Sequence, residues 1–302
     1  MGFDYSKIRI YQDNTKNGET KELNLKLFSL YRKWFEVMHE NGLNNLGNIC
    51  IDNCKLNGMH LLTAFDSYVE NPVRIMTLGK EAHTDEGDVT ELNSNYQKDV
   101  YYSYDYAIAH RYDDEVNIPA KDARNTFYLK ARKIISGINE NNDNLDEGKV
   151  LSILNNNLNK TSFSGRWTPC SNNAKNIELR NSNLDDIIYS RFEVDKLNCN
   201  IFLHEINILR PNHIIFLCGK GYEHHIERAF GKDFLEKLQK YNKTISINNP
   251  CGDAFCISYN DLGLNSNSDE KIKIIQTIHP SARLGNKRRD YHTKLKDFCG
   301  HN

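Results

Sequence analysis

Short apolar runs alternate along this chain with longer amphipathic stretches, and their spacing predicts most of the elements. Residues 21–40 have the period of an amphipathic helix. A Gly/Asn-rich segment follows over 41–59, and a second short helix is expected over 60–69, closed by Asn71 and Pro72. Residues 73–78 read as the first clear strand, ending at Gly79, where a chain can turn sharply. Residues 84–120 are acidic and tyrosine-rich without a period, as in a long functional loop or a lid with short helices. A helix is predicted over 121–138, with Phe127, Leu129, Ile134 and Ile135 at helical spacing and Gly137 near its end. A short helix is expected over 149–158, a short strand over 166–170 and a loop over 176–195.

The second half is more sharply patterned. Residues 196–209 predict a helix stopped by Pro211. Residues 213–218 are the most apolar strand in the chain, turned by Gly219 and Gly221. Residues 222–238 are helical with Gly231 as an interruption, 254–259 and 271–278 are strands, and 287–298 is a last helix. There is no internal repeat. Helices alternating with short apolar strands argue for an α/β fold, a three-layer αβα arrangement with a small, mostly parallel central sheet.

Composition narrows this only slightly. A chain of 302 residues with 39% hydrophobic and 26% charged residues has the make-up of an ordinary soluble globular protein, and no apolar run approaches the ~20 residues of a membrane span. The first residues lack the apolar core of a signal peptide, so a cytoplasmic location is expected, with the eight cysteines reduced. A formal net charge of −1 leaves any nucleic-acid surface to local clustering.

Three polar groups follow directly on strand-like runs: Gly79 to His83, Cys170 to Lys175, and His279 to Ser281. The carboxyl ends of parallel strands open on one crevice, where ligands bind. A carboxylate, an amide and an imidazole from distant parts of the chain would meet there. Two other matches are false leads. Gly219, Lys220 and Gly221 lack the spacing and hydroxyl of a phosphate-binding loop, and His204 with Glu205 lacks the second histidine of a metalloprotease helix.

In this order, and with Leu209, Arg210 and Pro211 leading to Leu217, Cys218 and Gly219, the motifs resemble the uracil-DNA glycosylase superfamily. The likeness spans residues 73–298. It divides the chain into an N-terminal helical extension packed on the core, 1–72, and a catalytic domain, 73–302. It departs from the family at Ala82, which stands where a proline is usual, at Cys218, which interrupts a Leu-Gly pair, and in the unmatched 84–120 loop.

The resemblance implies a monofunctional DNA glycosylase. Such an enzyme extrudes a pyrimidine nucleotide, uracil by default, and hydrolyses its N-glycosidic bond to leave an abasic site. Glu81, the only acid inside the first turn, would support the sugar cation or position water; its plain structural alternative is a surface residue in an acidic loop. His279 would stabilise the anion on the leaving base, against a strand-terminal histidine bonded to a carbonyl. Asn172 would read the base edge, with Asn173 a near competitor. Gly79, Lys80, Ala82 and His83 would wall the base pocket, and Phe127 or Tyr106 would stack on the base.

Ser281 would donate to a DNA phosphate, and Arg283 or Leu284 would fill the space of the flipped base. Lys287, Arg288 and Arg289 would contact phosphates, whereas Lys294 and Lys296 fit a solvated helix face. DNA is the expected partner, with no membrane and no obligate protein partner. No redox cofactor is required. Some branches of the family hold an iron–sulfur cluster, for which Cys50, Cys54, Cys170 and Cys199 are the available ligands; their spacing departs from that pattern, and free buried thiols are the preferred reading. The alternatives are a defence enzyme acting on modified cytosine in phage DNA, a catalytically silent DNA-binding module, and a hydrolase of free nucleosides.

Overall fold

A computed structural model of the chain describes residues 17–41, 50–51, 54–55, 61–81, 153–160, 186–218, 223–240, 245–246, 252–264 and 270–277. The helix and strand expected over 121–138 and 166–170, the 84–120 loop and the helix over 287–298 lie outside these residues.

The protein is of mixed α/β class, with a small, mostly parallel sheet and helices. The chain begins with helix α1, Gly18–Glu40, followed by a two-stranded antiparallel pair, β1 (Cys50–Ile51) and β2 (Cys54–Lys55). Helix α2, Asp66–Val69, leads to β3, Ile75–Glu81, and then comes β4, Ile153–Asn159. A hairpin of β5 (Phe192–Val194) and β6 (Leu197–Cys199) precedes helix α3, Ile201–Leu209, and strand β7, His213–Phe216. Helices α4 (Glu223–Phe230) and α5 (Lys232–Lys240) come next, then β8 (Ile245–Ser246), β9 (Gly252–Ser258) and β10 (Lys271–Thr277).

Six strands form the main sheet in the order β4-β3-β7-β10-β9-β8. β4, β3, β7 and β10 run parallel; β9 is antiparallel to β10, and β8 to β9. The central strands β3 and β7 are buried on both faces, as is usual for parallel strands. Met76, Leu78, Ile214, Phe216, Ile272 and Ile274 join the large apolar cluster with α1, α3, α4 and α5, while Ile75, Ile215 and Ile275 are buried on the other face.

α1 is part of that core. Leu27, Leu30, Trp34 and Met38 recur at helical spacing and are buried. The Trp34 indole N–H donates to the Ile188 carbonyl at 2.9 Å. The Asn24 amide pairs with the Ala64 backbone in both directions, at 2.8 and 3.0 Å, and so fastens the 61–64 segment to the helix.

Four expectations need correction. Within the helix expected over 149–158, the described residues are a strand: β4 occupies 153–159 and pairs with β3 along its length. Leu154, Asn156 and Leu158 alternate inward with the period of a strand, which a run of asparagines disguises. The helix expected over 196–209 starts only at Ile201, where the Asn200 side chain accepts from the Leu203 N–H at 3.1 Å. The residues before it form the β5–β6 hairpin instead, within the stretch expected to be a loop, and its two-residue turn holds Asp195 and Lys196 at positive φ. The first strand does not end at Gly79 but continues through it to Glu81. The break at Gly231 is present, with φ of 90° between α4 and α5.

The α3–β7 connection is pinned at the amino edge of the sheet. Arg210 closes α3 in the left-handed region and stacks its guanidinium on Tyr259 at 4.5 Å. The Tyr68 and Tyr259 hydroxyls donate to the Leu209 and Pro211 carbonyls at 3.0 and 2.6 Å. His213, the first residue of β7, is buried, and burial with the nearby Lys273 charge pushes its imidazole down to about 4.

Two measurements follow. Trp34→Ala removes a fully buried side chain and its hydrogen bond; a loss of about 3–5 kcal/mol is expected in urea unfolding, and a loss below 1 kcal/mol would show that α1 does not belong to the cooperative core. The unfolded chain protonates His213 near 6.5 but the folded one only near 4. The stability associated with the neutral ring is therefore full above pH 6.5 and lost as pH falls toward 4, by about 3 kcal/mol. His213→Gln should remove that share of the acid sensitivity in unfolding titrations at pH 7 and pH 4.5.

Candidate functional site

The parallel order β4-β3-β7-β10 has a topological switch. From β3 the chain adds β4 on one side, then returns to add β7 and β10 on the other. In open α/β sheets the crevice at such a point, outside the carboxyl ends, is where ligands bind. The switch point here lies between the carboxyl ends of β3 and β7.

That edge is stepped. Leu78 of β3 and Gln276 of β10 both pair with Phe216, the last residue of β7. The Leu217 N–H still donates to the Leu78 carbonyl at 2.8 Å. β3 then continues for Gly79, Lys80 and Glu81, roughly 10 Å beyond the end of the β7 ladder at 3.3 Å per residue. On the outer side Gly79 pairs with Asn157, and Glu81 with Asn159. β10 reaches one residue past the same level, to Thr277.

The expected site residues divide accordingly. Gly79 is buried within β3, with Lys80 and Glu81 after it at the strand's carboxyl end. Ala82, His83, Phe127, Asn172, His279, Ser281, Arg283, Leu284, Lys287, Arg288 and Arg289 lie outside the described residues. Cys50 and Cys54 lie on β1 and β2, where Cys54 pairs with Ile51 and Cys50 with Lys55. Cys170 is outside the described residues. Cys199 and Cys218 are buried, and burial pushes each thiol up to about 12, so neither is poised as a thiolate. Among the described residues no group of three or more His, Cys, Asp or Glu could hold a metal, and no helix is long and apolar enough to cross a membrane.

Sequence reasoning missed two features of this edge. One is β4, whose Asn157 and Asn159 share register with Gly79 and Glu81. The signal was the alternation of Leu154, Asn156 and Leu158. The other is a charged cluster beneath the end of β4. Lys160 and Glu205 are both 0% exposed. The Lys160 ammonium donates to both Glu205 oxygens, at 2.7 and 2.8 Å, and to Asn156 Oδ1 at 2.7 Å. All three of its protons are used. The Asn156 amide and the Tyr31 hydroxyl each donate to Glu205 at 2.8 Å. Tyr31 in turn accepts from the Leu62 N–H at 2.8 Å.

The ammonium also lies 4.7 Å from the centroid of Phe202. Burial depresses the Lys160 ammonium, and the Glu205 carboxylate beside it works in the opposite direction. The backbone of Lys160 is held too: its N–H donates to the Tyr189 hydroxyl at 3.1 Å, and that hydroxyl donates to the Leu158 carbonyl at 3.0 Å. His204, the other half of the discarded metalloprotease match, bonds the Phe192 carbonyl at 3.1 Å, and burial lowers its pKa.

No protein-family model matches the chain, and no curated protein sequence matches it. The functional reading therefore rests on its own residues.

Breaking the pair on one side strands a charge. Lys160→Met should cost about 3–5 kcal/mol in chemical unfolding. Lys160→Met with Glu205→Gln removes both charges and keeps an acceptor for Tyr31, so it should recover at least about 2 kcal/mol of that loss. Equal losses in the single and double variants would mean that the pair is not the coupled unit its geometry describes.

Proposed function

We propose that the chain is a monofunctional DNA glycosylase, a divergent three-layer αβα protein of the uracil-DNA glycosylase type. It hydrolyses the N-glycosidic bond of an extruded pyrimidine. The observation that carries this reading is the strand order. β3, which ends in Glu81, and β10, which leads into His279, flank β7 with their carboxyl ends on one edge. Two strand spacings, about 10 Å, separate them. His279 follows Thr277 by two residues, so chain connectivity keeps its Cα within about 7.6 Å of the Thr277 Cα.

A carboxylate and an imidazole supplied from either side of a switch-point crevice suit the two charges of glycosidic cleavage. Positive charge builds on the deoxyribose, where the Glu81 carboxylate stabilises it and orients the attacking water. Negative charge builds on the pyrimidine oxygen, where an N–H of His279 receives it. Asn172, in the chain beyond β4, supplies the amide that reads the base edge. Ser281 and the basic residues Arg283, Lys287, Arg288 and Arg289 follow His279 directly in sequence and bind the phosphates on either side of the extruded nucleotide. The bond broken is C1′–N; water supplies the hydroxyl, and the base leaves with a proton, giving an abasic site.

The test is mass-spectrometric detection of free base from duplex and single-stranded DNA carrying uracil or modified cytosines. Wild-type protein should release one of these bases. Glu81→Gln and His279→Ala should each slow release by about 100-fold or more, a few kcal/mol of transition-state stabilisation. DNA binding without release of any base would replace this reading with a silent binding module. Turnover of free nucleosides that is indifferent to Arg288 and Arg289 would replace it with a nucleosidase.

A further inference from the structure

The described core is mainly apolar, yet one lysine and one glutamate are fully buried in it. Well-packed apolar residues in place of such a pair are often as stabilising or more so. What the pair adds is direction: an apolar contact tolerates sliding, whereas an ammonium with three acceptors at 2.7–2.8 Å does not.

The location of the pair gives that rigidity a use. Lys160 immediately follows Asn159, the ladder partner of Glu81. Its side chain folds back to Asn156 on the same strand and to Glu205 on α3, and Glu205 is held by Tyr31 on α1. Tyr189 clamps the backbone at the same point. β3 has lost its β7 partner by this level, so β4 is its one ladder neighbour at Glu81 among the described residues. Whatever fixes the end of β4 therefore fixes the end of β3.

We propose that Lys160 and Glu205 are positioning residues, which set the projecting end of β3, and with it Glu81, from beneath through β4. The inference that this matters to base release rests on the function proposed above; the mechanical part does not. The three buried histidines among the described residues have local roles: His204 bonds a carbonyl, His225 bonds the Arg228 guanidinium, and His213 sits at the opposite edge of the sheet.

The experiment uses the full chain carrying Lys160→Met with Glu205→Gln, read in two ways. Hydrogen exchange should quicken by about tenfold or more in peptides covering 75–81 and 153–160, and stay unchanged in those covering 213–216 and 271–277. Single-turnover base release should fall by about tenfold or more at saturating DNA, with half-saturation unchanged, because misplacement by a fraction of an ångström acts on the chemical step. Unchanged exchange overturns the proposal, and so does quickened exchange with a wild-type rate. If wild-type protein releases no base, the glycosylase reading fails, and exchange alone decides whether the pair holds the edge. Should the double variant not fold, Tyr31→Phe keeps the ion pair but removes the hydroxyl on Glu205; about threefold effects of the same kind are expected, and none would overturn the proposal.

Discussion

The Lys160 charge has no water to face, and Glu205 is the carboxylate that neutralises it. That single constraint ties together parts of the chain far apart in sequence. Glu205 lies 45 residues beyond Lys160 on α3, and the tyrosine that completes its coordination lies 174 residues back on α1. An ionised pair taken out of water is tolerable only when its remaining hydrogen-bonding capacity is filled. Asn156 and Tyr31 do that, and Leu62 closes the set by donating to Tyr31. α1, the 61–64 segment, β4 and α3 therefore cannot shift independently. The rest of the helical layer packs around them as an ordinary apolar core.

The arrangement of the sheet gives this constraint its functional interest. A strand at a topological switch has neighbours that leave in opposite directions, which opens a crevice at its end. β3 is that strand, and it projects past β7 while remaining paired to β4. Among the described residues the end of β3 is paired on one side only, which leaves it less held than a strand paired on both. The buried Lys160–Glu205 pair anchors the end of β4, the strand that remains paired with that tip.

Much of the fold was legible in the sequence, and the failures have a common cause. The apolar runs over 73–78, 213–218, 254–259 and 271–278 each hold a strand, β3, β7, β9 and β10, and Gly231 separates two helices, because local composition and backbone preference point the same way there. β4 was misread because Asn155, Asn156 and Asn157 have poor local preference for a buried strand. Asn156 is acceptable inside because Glu205 and Lys160 satisfy its amide. The late start of α3 has a similar origin: Asn200 makes a cap, and the residues before it find cross-strand partners in a hairpin.

By itself, then, the sequence determined where the apolar strands lie and which polar groups follow each of them, since both are properties of neighbouring residues. Only the tertiary structure decided that β4 is a strand, that β3 and β10 flank β7 with their ends on one edge, and that Lys160 meets Glu205. Those outcomes depend on contacts between residues dozens of positions apart, and a buried polar side chain can be read correctly only when its partners are in view.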